Sequence, residues 1–174
     1  MITFKALDTV DTLKMAIQCE MDMENFYGKL ASLISNDDAV AILRGLSEKE
    51  EKHRSRLIRF YSRLSGKKIL YLNLGKKHKL NTLFKCTDNA VESLRLAKKN
   101  ENELKNFYLS VCKRFIDTET RQLFRDLALE EEQHIALLES SFVEPISLEQ
   151  IEGKNEELLY PALTKADREG IKTW

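Results

Sequence analysis

Glu50-Glu51-Lys52-His53 is the stretch that decides how this 174-residue chain folds. A glutamate and a histidine three residues apart on a helix project from the same side, so both can grip one metal ion. The pattern returns 81 positions later as Glu131-Glu132-Gln133-His134. Stepping back the same distance from each copy reaches a further carboxylate, Glu20 in one half and Glu101 in the other. Six candidate ligands emerge, three from each half.

The offset of 81 extends well beyond these positions, pairing Val10 with Val91, Leu13 with Leu94 and Ala16 with Ala97. It also pairs Asn25-Phe26-Tyr27 with Asn106-Phe107-Tyr108, and it runs without a gap through Arg44 and Arg125, Leu46 and Leu127, and Leu57 and Leu138. The chain is therefore a duplicated helical hairpin. A pseudo-twofold axis between two such hairpins brings Glu20, Glu50 and His53 to face Glu101, Glu131 and His134. Four carboxylates at a bundle centre repel one another and lose their hydration, so they call for cations, and two divalent metals balance them. Glu-x-x-His by itself is a weak pattern, because most such pairs on charge-rich helices lie on a solvated face. Here the chain has only three histidines, and two of them occupy equivalent repeat positions on an otherwise apolar stripe. Each also has a matched upstream glutamate, which carries the metal reading.

Between Asp8 and Ile34 the residues Val10, Leu13, Ala16, Ile17, Met23, Tyr27, Leu30 and Ile34 recur at threes and fours, which predicts an amphipathic helix A. Ser35-Asn36-Asp37-Asp38 supplies turn and cap chemistry. Helix B is expected over Ala39 to Leu64, with Leu43, Leu46, Glu50, His53, Leu57 and Phe60 on one stripe and Gly66 as its stop. Lys67 to Lys85 lacks that periodicity and reads as a long crossover. Thr87-Asp88-Asn89 caps helix C, which continues to about Phe115; Asp117 caps helix D, which stops before Pro145. A short turn, a long crossover and a second short turn give the ferritin-like connectivity of a four-helix bundle. The expected organisation is an all-α bundle over residues 1–142 and a short helical extension over 143–174 that packs on the bundle or on a partner subunit.

Composition agrees with this, since 43% hydrophobic and 32% charged residues with only six Gly and two Pro favour long helices. Lysine plus arginine equals aspartate plus glutamate at 28 each, so the chain as a whole has no electrostatic footprint for nucleic acid, although Lys67-Lys68 and Lys76 to Lys79 make local basic patches. Cys19, Cys86 and Cys112 form no paired spacing; they read as buried small hydrophobes in a reducing cytoplasm. His78, in the basic crossover, reads as solvated. The N-terminus has no charged leader followed by an apolar run, and no stretch approaches the length of a membrane span, so a soluble intracellular protein is expected.

Oxygen and imidazole donors without thiolates suit iron or manganese better than a structural zinc. Tyr27 and Tyr108 lie seven residues beyond Glu20 and Glu101, about two turns on and so on the same faces. They read either as hydrogen-bond donors that orient carboxylates or as core aromatics. Glu24, one turn after Glu20 and paired in the repeat with Lys105, reads as an auxiliary ligand, as part of a route for iron, or as a surface carboxylate.

Glu20…Phe26-Tyr27 with Glu50-x-x-His53, repeated as Glu101…Phe107-Tyr108 with Glu131-x-x-His134, resembles the rubrerythrin branch of the ferritin-like superfamily over about Asp8 to Phe142. The resemblance implies two iron ions bridged by Glu50 and Glu131, with Glu20 and Glu101 as terminal carboxylates and His53 and His134 each on one iron. It also implies an oxidoreductase that consumes peroxide or dioxygen, and a homodimer. Two departures accompany it. Typical rubrerythrins carry a C-terminal rubredoxin-like domain with two CxxC pairs that this chain does not show, so electrons are expected from a separate, rubredoxin-like partner. Typical peroxidase members place a mobile glutamate three residues after the helix C ligand, where this chain has Leu104. A di-iron hydroxylase with an apolar substrate cleft, a ferroxidase or iron store, and a bundle merely held together by its metals are the competing readings.

Overall fold

Each helix among the described residues starts on a short side-chain oxygen that captures backbone N–H groups the first turn leaves unpaired. In the computed structural model, which describes residues 8–69 and 84–142, helix α1 spans Thr9–Ser32, and Asp8 accepts from the Asp11 N–H at 2.7 Å. Helix α2 spans Asp37–Ser65 behind Asn36, which accepts from the Ala39 N–H at 2.8 Å. Asn89 does the same for α3, Ala90–Arg114, through the Glu92 N–H at 2.8 Å. Asp117 opens α4, Thr118–Ser141, accepting from the N–H groups of Glu119 and Thr120. Asp8 and Asn89, like Asn36 and Asp117, are repeat equivalents. The duplication therefore extends to the caps. Helix α2 ends on Gly66 at φ 67°, a left-handed turn that a residue without Cβ makes at little cost.

The bounds differ from expectation by a turn or less. Helix α2 begins at Asp37 and not at Ala39, because Asp37 and Asp38 place negative charge in the first turn, where the helix dipole favours it. Helix α1 ends at Ser32, before Ile34.

Helices α1 and α2 pack as one hairpin, and α3 and α4 as the other. Side chains across the hairpins give their directions. Tyr27 late in α1 reaches Glu101 at the middle of α3, and Tyr108 late in α3 reaches Glu20 at the middle of α1. Arg56 and Arg63 of α2 reach Glu130 and Glu119 of α4 in reversed order. Both cross-hairpin pairs are antiparallel. The end of α2 and the start of α3 consequently lie at opposite ends of the bundle, as a crossover requires. Residues 70–83 of the expected crossover, with His78, and the expected extension over 143–174 lie outside the described residues.

The interior is aliphatic and aromatic along most of its length, with Leu13, Leu30, Leu43, Leu46, Leu57, Leu104, Val111, Phe124 and Leu127 fully buried. Each such side chain contributes about 1.5–3 kcal/mol on burial. That stabilisation carries a polar layer at mid-bundle. Among the described residues, no helix is long and apolar enough to cross a membrane. Cys19 and Cys86 are buried as expected, whereas Cys112 is only partly so, its position near the end of α3 leaving one side to solvent.

Candidate metal centre

The four helices each turn carboxylates into the same layer: Glu20 from α1, Glu50 from α2, Glu101 from α3 and Glu131 from α4. All four are completely buried, and His53 and His134 retain 3% and 1% of their exposure. The i, i+3 spacing makes each histidine lie over its own glutamate, with His53 Nδ1 3.4 Å from Glu50 Oε2 and His134 Nδ1 3.0 Å from Glu131 Oε2. The two imidazoles stack at 5.3 Å between ring centres and 10° between planes.

The donors fall into two groups with shared members. Glu20, Glu50, His53 and Glu131 each offer an atom within 4.8 Å of the others, and so do Glu50, Glu101, Glu131 and His134. Glu50 and Glu131 belong to both. The structure thus brings all six sequence-predicted residues into one layer, with the two central glutamates between two four-donor pockets.

The inward atoms have no hydrogen-bond partners: Glu20 Oε2, Glu101 Oε2, both oxygens of Glu50 and Glu131, and Nδ1 of both histidines are buried and unsatisfied. Several approach one another, His53 Nδ1 lying 3.2 Å from Glu131 Oε1, yet none has hydrogen-bond geometry. They converge on common points and not on each other. Unsatisfied buried polar atoms are costly and rare. Eight of them around two points fit a pair of oxygen- and nitrogen-loving cations.

Tyr27 and Tyr108 hold the outer oxygens. Tyr27 Oη donates to Glu101 Oε1 and Tyr108 Oη to Glu20 Oε1, so that each terminal carboxylate keeps one oxygen for the centre. Each tyrosine serves the glutamate of the opposite hairpin, because α1 and α3 run antiparallel. Burial, with the nearby carboxylates, pushes both phenols well above their ordinary range and keeps them protonated donors.

Burial and then the charges of Glu131 and Glu50 push the Glu20 carboxyl well above the usual carboxylate range; burial and the same two glutamates do so for Glu101. Burial opposes ionisation of Glu50 as well, but His134 and His53 outweigh it and hold that carboxyl well below the usual range. Burial also opposes a charged His134, and Glu101, Glu131 and Glu50 reverse the sign, pushing it up to about 12. His53 is raised likewise, Glu130 being the strongest of the carboxylates that overcome its burial. Protonated imidazoles are the counter-cations the chain itself offers. A metal takes their place by displacing their protons.

Glu24 stands outside both groups and pairs with Arg54 at 2.9 Å. Lys105, its repeat partner, pairs with Glu132 at 2.7 Å. Leu104 is fully buried in α3.

Two residues that sequence reasoning missed adjoin the centre. Glu130 Oε2 lies 2.6 Å from His53 Nε2, and Arg56 Nη1 donates to both oxygens of Glu130, at 2.5 and 2.8 Å. The available signal was a break in the repeat, since Glu130 and Arg56 align with Lys49 and Leu137. A search for matching pairs passes over it.

Bundle and donor set together define a ferritin-like four-helix protein with a carboxylate and histidine centre able to hold metal. The family model for rubrerythrin matches residues 11–142, and the chain belongs to the rubrerythrin family. It is similar to the solved structure of a hypothetical protein from Pyrococcus furiosus, at 26% identity and a TM-score of 0.67, over 79% of this chain and 89% of that one. No curated protein matches the chain.

Proposed function

We propose that this chain is a di-iron oxidoreductase that reduces hydrogen peroxide or dioxygen, whose two ions would be held by Glu20, Glu50, His53 and Glu131 on one side and by Glu50, Glu101, Glu131 and His134 on the other. The observation that carries the reading is the pair of four-donor pockets sharing Glu50 and Glu131, lined by buried atoms with no other partner. Two redox-active ions held there would supply a pair of electrons to an O–O bond, and manganese suits the same donors as iron. The chain's own part is positional. Tyr27 and Tyr108 orient Glu101 and Glu20, and His53 and His134 turn Nδ1 inward. The bundle keeps bulk water from the donors, all six of which are buried. Electrons come from a separate donor protein of the rubredoxin kind, and the working unit is a homodimer in the cytoplasm.

One observation favours a second reading, iron oxidation and transfer. Leu104 stands where peroxidase relatives carry a mobile glutamate, and a buried aliphatic side chain provides neither ligand nor proton carrier. Hydroxylation of an organic substrate is less well supported. The cleft of about 330 Å³ beside the two histidines is rimmed by Lys49, Lys52, Arg56, Glu130 and Gln133, whose charged and amide ends suit an organic substrate less than aliphatic or aromatic side chains would.

The deciding experiment counts bound metal by elemental analysis and then mixes the anaerobically reduced, iron-loaded protein separately with peroxide and with oxygen in a stopped-flow spectrometer. Faster oxidation by peroxide is expected of a peroxidase despite Leu104. Faster oxidation by oxygen transfers the assignment to the ferroxidase reading, and a bundle with no metal pair removes both.

A further inference from the structure

The two halves of the centre are not copies of one another. His53 turns Nδ1 toward Glu20, Glu50 and Glu131 and sets Nε2 against Glu130. Glu130 is itself held by Arg56 through both carboxylate oxygens, at 2.5 and 2.8 Å. A carboxylate that holds Nε2–H leaves Nδ1 as the nitrogen that gives its proton up to an arriving metal, and it makes the ring a more basic donor. The ring orientation is set before any ion arrives.

His134 lines the same cleft under different conditions. It meets Glu50 and Glu131 at 3.0 Å and Glu101 at 3.6 Å, in every case through Nδ1. The repeat equivalents of Glu130 and Arg56 on its side are Lys49 and Leu137, an ammonium and an aliphatic chain. Neither has an atom that accepts a hydrogen bond from Nε2–H. Lys49 also adds positive charge beside a pocket built for a cation.

We infer that Glu130, clamped by Arg56, is a positioning residue that makes the two metal positions unequal, the pocket of Glu20, Glu50, His53 and Glu131 filling first and holding its ion more tightly. This rests on the reading of the six residues as a two-metal centre. The pocket of Glu101, Glu50, Glu131 and His134 fills second. Repulsion between ions that share Glu50 and Glu131 separates two binding steps even in a symmetric centre, so the order of filling and the response to substitution carry the distinction.

The test is a zinc(II) titration of the full-length apoprotein followed by calorimetry and by imidazole NMR, with zinc as a redox-silent probe. At one equivalent the wild-type spectrum is expected to show His53 bound and His134 free. Glu130→Gln is expected to weaken the first step by about 10–100-fold and to spread the first equivalent over both rings. Glu130→Asp is expected to restore part of that loss. Lys49→Glu, at an exposed position, sets a carboxylate at the repeat equivalent of Glu130 and is expected to tighten the second step. Equal loading of the two rings in the wild type, His134 loading first, or an equal loss in both steps of Glu130→Gln would overturn the inference while leaving the two-metal centre standing. Zinc that moves neither ring would overturn the centre, and the inference with it. Should Glu130→Gln fail to fold, Lys49→Glu decides alone, an unchanged second step being the adverse result.

Discussion

Tyr27 and Tyr108 each give a hydroxyl to a buried carboxylate, so replacing them by phenylalanine isolates what that hydroxyl does. Tyr27→Phe leaves Glu101 Oε1 buried without a donor, at a cost of about 1–3 kcal/mol. The loosened carboxylate should also lower metal affinity by about 10–100-fold. Thermal unfolding and metal titration read the two effects, and an unchanged affinity would reduce both tyrosines to core aromatics. The seven-residue spacing placed each tyrosine on the right face but not against the right partner, because helix periodicity does not say which neighbouring helix runs antiparallel. Protonation at the centre gives a second expectation. With His134 pushed up to about 12 and Glu20 and Glu101 raised by burial, the metal-free centre holds protons at neutral pH that metal must displace. Metal uptake should therefore release protons, and affinity should rise with pH through the neutral range. Calorimetry in buffers of different ionisation enthalpy measures the release; uptake without proton release would mean that the imidazoles are already neutral and Glu20 and Glu101 already ionised.

At the scale of the helix, the caps and the apolar stripes carry the same information twice, once in each half. Asn36 and Asp117 open the second helix of either hairpin, and each satisfies backbone N–H groups in the first turn. Asn36→Ala should cost about 1 kcal/mol and Asn36→Asp far less, since the aspartate oxygen accepts the same bond. For a chain of this size the alanine variant should melt about 2–4 °C lower, and equal melting of both variants would show that the cap does not hold α2. This local redundancy is why the four described helices were legible from periodicity and cap chemistry. Their ends were less so, because Asp37 and Asp38 read equally well as turn residues or as a first helical turn, and only the backbone geometry separates the two. The partial exposure of Cys112 has a similar origin, as residue type alone does not tell how far a side chain sits from the end of its helix.

In the molecule as a whole, duplication explains both what the sequence disclosed and what it concealed. Equivalent residues at an offset of 81 gave the six donors and the two hairpins, since a pseudo-twofold bundle must bring matched positions together. The same symmetry hid Glu130 and Arg56, whose partners Lys49 and Leu137 share none of their chemistry. What the symmetric part builds is a layer of four fully buried carboxylates inside an apolar bundle, a layer that favours the folded state only when positive charge is present. Metal bound to the folded form alone adds about 2.7 kcal/mol at a hundred times its dissociation constant. For this chain length that corresponds to a rise in Tm of about 5–10 °C, reversed by a chelator. Glu50 and Glu131 belong to both donor groups, so Glu50→Ala with Glu131→Ala removes a ligand from each pocket twice over. The double variant should keep its helical circular dichroism, because α2 and α4 retain their caps and their leucines. It should also melt at one temperature with or without metal. Full occupancy by two ions in that variant, or a metal-dependent Tm equal to that of the wild type, would show that the shared glutamates are not what joins the two positions.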